Sequence, residues 1–329
     1  MIKHISVMVP EGNPQLVCII GCYKAFIKVN QYLVEKGNNP MFAVQLVGNT
    51  GAMSLDQGVF TVKPHIKPAD LKKTDLIIIP AMSWDFDTVI KVNGDLLPWI
   101  TAQYKRGAEV ASVCTGGFLL AATGLLKGRQ CATHWLAAGA FRRMFPDVNL
   151  MAEKLITDEF GIYTNGGAFS FLHLLLYLIE KYCGRETAIY CSKFFEIDID
   201  RTSQSAFTMF SGLKDHHDEE IKKAQLFIEA NIDKKMSIEE LADKFGIGRR
   251  NFDRRFIKAT YHTPGEYMQK VKIEAAKKAL ELSRRTISEV MYEVGYSDSK
   301  AFRDVFKKCS GLSPLEYRNK YNKEAVLLQ

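Results

Sequence analysis

Cys114 is the residue in this chain whose setting most suggests chemistry. An apolar, strand-like run over residues 109–113 leads directly into Cys114-Thr115-Gly116-Gly117 and then into an apolar helical pattern. A strand that turns sharply into a helix exposes the side chain at the corner, and the helix N-terminus favours a thiolate there. Twenty residues further on, Thr133-His134-Trp135 places an imidazole after the next strand. Cysteine plus histidine is the minimum set for an activated thiol. Isolated Cys and His residues in a chain of this size are usually structural, but the strand–Cys–Thr–Gly–Gly–helix setting favours a functional reading. Met82, Ser83 and Trp84 follow the buried strand pattern 75–79, and Asn165 follows another strand-like run. Cys114, His134, Met82, Ser83, Trp84 and Asn165 are therefore expected to line a pocket at the C-terminal edge of a parallel sheet, where open α/β sheets bind ligands.

A second set of residues points to a polyanion. From Asp218 onward the chain carries 23 of its 44 Lys and Arg but only 18 of its 37 Asp and Glu, a local net charge of +5 out of +7. This third repeats internally at an offset of 49 to 50 residues. Ile238-Glu239-Glu240-Leu241-Ala242 returns as Ile287-Ser288-Glu289-Val290-Met291, and Phe245-Gly246-Ile247 returns as Val294-Gly295-Tyr296. Phe252 and Phe256 return as Phe302 and Phe306, and Thr263-Pro264-Gly265-Glu266-Tyr267 returns as Ser313-Pro314-Leu315-Glu316-Tyr317. Each copy starts a short helix after a capping residue, Ser237 or Thr286. A glycine that tolerates positive φ ends it. A second helix then follows, with two phenylalanines one turn apart. Opposite those rings stand Arg249, Arg250, Asp253 and Arg254 in the first copy, and Ser299, Lys300, Arg303, Asp304 and Lys307 in the second. Arginine and lysine on such a helix reach guanine edges or phosphates in a major groove. These are two helix-turn-helix units, joined by a long amphipathic helix over residues 266–282, and the expected partner is double-stranded DNA.

The elements that must carry these residues follow from the pattern. Strand and helix signals alternate over the first two hundred residues: strands near 5–9, 42–47, 59–62, 75–79 and 109–113, helices near 16–36 and 96–105. Such alternation predicts a parallel sheet with helices on both faces. Periodicity fades between about 198 and 218, and everything beyond reads as helix. The fold class is thus α/β, followed by an all-α domain. The boundaries read 1–200 for the α/β domain, 201–218 for a linker and 219–321 for the helical domain. A length of 329 residues suits two such domains. Seven cysteines, an odd number with no C-x-x-C, argue against a disulfide framework or structural zinc and for a reducing cytoplasm. Pro10 and Glu11 fall too early for a signal peptide, and the apolar helix expected over 169–179 is too short to span a bilayer. Neither a metal nor a cofactor is required by the pattern.

Both halves resemble known families. Ile287, Val294-Gly295-Tyr296-Ser297-Asp298, Ala301-Phe302, Phe306-Lys307, Gly311-Leu312-Ser313-Pro314 and Tyr317-Arg318 resemble the signature of the AraC/XylS transcription regulators over about 219–321. Met291 stands where that family usually has alanine, and Asp304 where it usually has a basic or polar residue. Ser112-Val113-Cys114-Thr115-Gly116-Gly117-Phe118, Gly124-Leu125-Leu126, Gly128-Arg129 and Thr133-His134-Trp135 resemble the flavodoxin-like PfpI domain of class I glutamine amidotransferase-like proteins over about 2–197. The branch it is most similar to is the one fused to AraC-type domains, the GlxA-type regulators. Enzymes of that superfamily place an acidic residue at the start of the first helix. Here that place falls near Val17. Pro80-Ala81-Met82-Ser83 stands where they often carry the glycines of an oxyanion hole. The resemblance therefore implies a degenerate catalytic site, a small-molecule effector, a homodimer and sequence-specific DNA binding, with no catalytic residues. The competing reading is an enzyme that uses Cys114 and His134.

Overall fold

A computed structural model describes residues 2–49 and 51–322. The chain divides into two compact units, with the boundary between Gln204 and Ser205.

The first unit is built on a six-stranded sheet. In chain order its elements are β1 (Lys3–Met8), α1 (Leu16–Glu35), β2 (Phe42–Val47), a hairpin of β3 (Met53–Leu55) and β4 (Phe60–Val62), β5 (Leu76–Ile79), α2 (Phe86–Val92), α3 (Leu96–Lys105), β6 (Glu109–Ser112), α4 (Gly116–Ala122), β7 (Gln130–Cys131), α5 (Ala138–Met144), β8 (Asn149–Leu150), β9 (Ile156–Glu159), β10 (Ile162–Asn165) and α6 (Phe171–Phe195). The sheet order is β2-β1-β5-β6-β10-β9. All pairings are parallel except β9 with β10, so the expected parallel sheet carries one antiparallel edge. Successive side chains point to opposite faces, and the strands sort accordingly. Ile5, Val7, Ile78 and Ala111 join Phe26 of α1 and Leu174 and Leu178 of α6 in one core. Met8, Ile77, Ile79 and Val110 join Phe86, Ile100, Phe118 and Phe141 in the other. Because both faces are covered, β5 reads as the unbroken run Leu76-Ile77-Ile78-Ile79 instead of an alternating one.

Two helices differ from the sequence expectation. The apolar pattern expected to end near 179 continues to Phe195, across a break at Gly184, where φ is 82°. Helix α1, not α6, is long and apolar enough to cross a bilayer, yet its inner face packs Cys18, Ile19, Cys22, Phe26 and Val29 into the core.

The second unit holds α7 (Glu219–Ala230), α8 (Ile238–Lys244), α9 (Arg249–Thr260), α10 (Pro264–Leu282), α11 (Ile287–Glu293), α12 (Ser299–Ser310) and α13 (Pro314–Tyr321). Helices α8, α10, α11 and α13 each begin with a reciprocal capping box: Ser237 with Glu240, Thr263 with Glu266, Thr286 with Glu289, and Ser313 with Glu316. These boxes satisfy N–H groups that a helix start leaves open, and they fix where each repeat begins.

The stretch expected as a linker, 201–218, is held on both units. Leu155 N–H donates to Thr202 O at 3.2 Å, and Gln204 Nε2 donates to Thr133 O at 2.9 Å and Ala152 O at 2.8 Å, all within the first unit. From Ser205 the chain is bound to the second unit. Tyr321 Oη donates to Ala206 O at 2.9 Å, Lys277 Nζ donates to Thr208 O, and Phe210 N–H donates to Glu274 Oε2 at 3.1 Å. Asp218 closes this strap: it caps α7 through Ile221 N–H and takes two hydrogen bonds from Arg255 of α9, at 2.6 and 2.8 Å.

Candidate functional site: a buried thiol turn and a two-helix nucleic-acid interface

The thiol turn is built from four loops of the first unit. Cys114 has φ +53°, a left-handed conformation that a non-glycine residue adopts only under constraint. The constraint is visible on both sides. A methyl group at Gly116 would lie 2.5 Å from Pro80 O and 2.7 Å from Ile79 O, so only glycine lets α4 begin this close to the β5 loop. Thr115 Oγ1 accepts from Met82 N–H and donates to Met82 O, both at 2.8 Å. Thr133 Oγ1 donates to Cys114 O at 2.9 Å.

The electrostatics oppose a thiolate. Burial pushes the Cys114 thiol above its usual range, and the N–H groups of Ala168 and Thr115 offset only part of that. The N–H at the start of α4 thus acts in the expected direction, but burial outweighs it and the thiol is raised overall. Burial also lowers the His134 pKa, which leaves the ring neutral at neutral pH. Its Nδ1 accepts from Leu136 N–H at 3.1 Å, its ring meets Trp84 edge-on at 5.6 Å, and its edge packs on Gly167. Among the described residues no hydrogen bond joins His134 to Cys114. On α1, Cys18 is buried in the same core as Cys114, whereas Val17 is exposed. Burial raises the Cys18 thiol to about 12, Ala81 N–H opposes this, and the proximity of Cys114 pushes the same way. A second buried thiol thus neighbours Cys114.

The six expected pocket residues fare differently. Cys114, Met82, His134 and Trp84 are linked through Thr115 and the His134–Trp84 ring contact. Ser83 is half-buried beside them in sequence. Asn165 is used structurally: its Nδ2 donates to Leu155 O at 3.0 Å and Ser170 O at 3.2 Å, and its Oδ1 accepts from Ser170 Oγ at 3.4 Å. Sequence reasoning missed Thr115, Thr133 and Gln204, which hold the turn. The first two flank Cys114 and His134 within the motifs, but Gln204 has no local sequence signal.

In the second unit, α9 and α12 turn their phenylalanines inward and their charges outward. Phe252, Phe256, Phe302 and Phe306 are buried, while Arg249, Arg250, Arg254, Ser299, Lys300, Arg303 and Lys307 are exposed. Arg249 is clamped between Glu239 and Asp253, with Asp253 Oδ2 at 3.0 Å. Asp253 is half-buried and holds Arg249 in place. Arg254 donates to Asn251 Oδ1 at 2.9 Å, and Arg303 folds back on Ser299 O and Oγ at 3.1 and 2.8 Å. Arg255 is turned away, on Asp218.

This is the geometry of a strand–cysteine–helix sandwich joined to paired helix-turn-helix units, and the comparisons agree. Residues 32–181 match the DJ-1/PfpI family, and residues 241–320 match the helix-turn-helix domain. The chain thus carries a DJ-1/PfpI-type segment followed by a helix-turn-helix segment, the two parts named by these matches. Its relatives include the HTH-type transcriptional regulator GbdR of Pseudomonas aeruginosa, 26% identical over 69% of this chain and 62% of that protein. The chain thus spans somewhat less than two thirds of that relative. The HTH-type transcriptional regulator GlxA of Rhizobium meliloti is 25% identical over 66% of this chain and 67% of that protein. A crystal structure from Vibrio parahaemolyticus, described as a transcriptional regulator protein, superposes with TM-score 0.53 at 22% identity over 59% of this chain and 99% of that one, which shows the fold.

Proposed function

We propose that this protein is a cytoplasmic, sequence-specific DNA-binding transcription regulator, acting as a homodimer. Its helices α9 and α12 enter successive major grooves, and its DJ-1/PfpI-type unit binds a small-molecule effector without turning it over. The observation that carries the reading is the duplicated, outward-facing basic helix on a repeated core. Arg250, Arg254, Lys300, Arg303 and Lys307 supply base and phosphate contacts, and Arg249 is aimed by its two carboxylates. The non-catalytic role of the first unit is supported by the raised Cys114 thiol, by a neighbouring Cys18 thiol that is itself raised, and by a His134 engaged with its own loop. An efficient thiol nucleophile needs a base within hydrogen-bond reach and a depressed pKa; neither supports Cys114.

The enzyme reading retains one observation in its favour, the strained φ at Cys114. Cys114→Ser separates the two. The regulator reading expects unchanged operator affinity and no turnover of amide, aldehyde or isonitrile substrates by wild type. Robust turnover that vanishes in Cys114→Ser would overturn it.

A further inference from the structure

The first unit contains a cavity of about 310 Å³ that shares no lining residue with the Cys114 turn. Its size lies at the lower end for small-metabolite sites. Its apolar wall is formed by Leu155, Ile156, Leu176 and Ile199. Two carboxylates reach its rim, but both are already paired within the protein. Asp158 Oδ2 accepts from Tyr177 Oη at 2.6 Å and from Lys181 Nζ at 2.9 Å, and Glu180 pairs with Arg185 at 2.8 Å. The groups that give the cavity its polar character are His173 and Arg201, whose Nε donates to Ser203 O at 3.2 Å. Both ring nitrogens of His173 are buried and neither makes a well-formed hydrogen bond, although the backbones of Ser170 and Asp198 lie close enough to act on the ring. Burial, reinforced by the nearby Arg201 charge, lowers the His173 pKa, so the neutral ring offers one donor and one acceptor. A buried polar group without a partner is costly, and a ligand oxygen would supply one.

We propose that this cavity binds a small aliphatic carboxylate, with its hydrocarbon body against Leu155, Ile156, Leu176 and Ile199 and its carboxylate toward Arg201 and the His173 N–H. Guanidinium is the side chain best matched to a carboxylate fork. The cavity wall also carries a consequence. Arg201 and Thr202 belong to the segment that ends at Gln204, whose amide is fixed on the Thr133 carbonyl beside His134. The second unit begins at the next residue, Ser205. Ligand contact at Arg201 therefore bears on the chain that leads to the DNA-binding helices. This consequence rests on the regulator reading; the binding itself does not.

The test uses the full chain. Butanoate, pentanoate and hexanoate are titrated by calorimetry and by thermal shift, with hexanamide as the uncharged match. At least one carboxylate is expected to bind saturably and raise the melting temperature, with hexanamide about ten-fold weaker or worse. Arg201→Gln and the cavity-filling Ile199→Trp, each first shown to melt cooperatively without ligand, are expected to weaken binding about ten-fold or more, and Cys114→Ser to leave it unchanged. If one of the first two variants fails to fold, the other and the acid–amide contrast decide. No saturable binding up to about 10 mM, equal binding of acid and amide, or binding lost in Cys114→Ser but kept in the cavity variants would each overturn the site. Saturable binding with no change in operator affinity would support the site and overturn its effector role.

Discussion

In the first helix-turn-helix unit, Phe252 and Phe256 lie one turn apart, and Phe256 meets Tyr267 edge-on at 5.3 Å and 78°. In the second, Phe302, Phe306 and Tyr317 repeat the arrangement at 5.4 Å and 78°. Ser237 and Thr286 cap the two short helices in the same way. Outside these cores the units part. Arg249 of α9 is held by Glu239 and Asp253, and Arg255 by Asp218, whereas among the described residues Arg303 of α12 is held by its own helix through Ser299. Asp304 and Lys307 of α12 are exposed. The inner face must satisfy packing at every position, so duplication preserved it. The outer face touches little of the protein and was free to diverge toward different contacts.

The largest effects should come from breaking the shared core. Phe306→Ala and Phe256→Ala are each expected to cost about 3–5 kcal/mol, since both rings are fully buried. Urea denaturation measures this, and costs differing by more than about 2 kcal/mol would show that the two cores are not equivalent.

The turn glycines sharpen the comparison. Gly246 and Gly295 both have positive φ, 62° and 75°. An alanine at either bears strain of about 1–2 kcal/mol. At Gly246 the added methyl meets open space, but at Gly295 it lies 2.6 Å from Asp233 O and 2.7 Å from Lys272 Nζ. Gly295→Ala should therefore destabilise clearly more than Gly246→Ala in the same denaturation experiment; equal losses would contradict the close approach.

On the outer face, Arg254→Ala should weaken specific DNA binding by roughly 1–3 kcal/mol if the side chain reads a base. Lys307→Ala should instead weaken all sequences alike and reduce the salt dependence if the side chain contacts a phosphate. Mobility-shift titrations on specific and scrambled DNA at two salt concentrations separate the two behaviours. Unchanged affinity in Arg254→Ala would remove that residue from the interface.

A smaller effect attaches to Asp218. The Arg255 hydrogen bonds hold its carboxyl below the usual range, against a smaller opposing effect of burial. A depressed folded-state pKa contributes stability that is complete above the unfolded carboxylate pKa and is lost as pH falls through the folded value. Asp218→Asn should thus destabilise by about 1 kcal/mol at neutral pH. The difference from wild type should shrink on acidification, and a pH-independent difference would contradict the ion pair.

How much of this was legible in the sequence depended on whether the signal was local. The helix-turn-helix repeat, its caps and its phenylalanines are written at fixed spacing, and the structure follows them to within a residue or two. The strand–Cys–Gly–Gly turn was legible for the same reason. What escaped was the tertiary surroundings. The raised Cys114 thiol comes from burial by loops distant in sequence. On α1, Cys18 is buried toward Cys114 while Val17 is exposed, because adjacent residues of a helix point about 100° apart. The apparent linker 201–218 is polar because its backbone and side chains bind the two units, and polarity alone does not distinguish that from a free tether. The cavity at His173 and Arg201 joins residues from β9, α6 and the following segment, which no single window of sequence unites.

The central claim is that both helix-turn-helix units read DNA. Footprinting of the full chain on operator fragments chosen by selection from random DNA tests it most directly. Two protected major-groove segments per protomer, centred about one helical turn or 34 Å apart, are the predicted result, with the first lost in Arg254→Ala and the second weakened in Lys307→Ala. A single protected segment per protomer, unaffected by changes in α12, would contradict it.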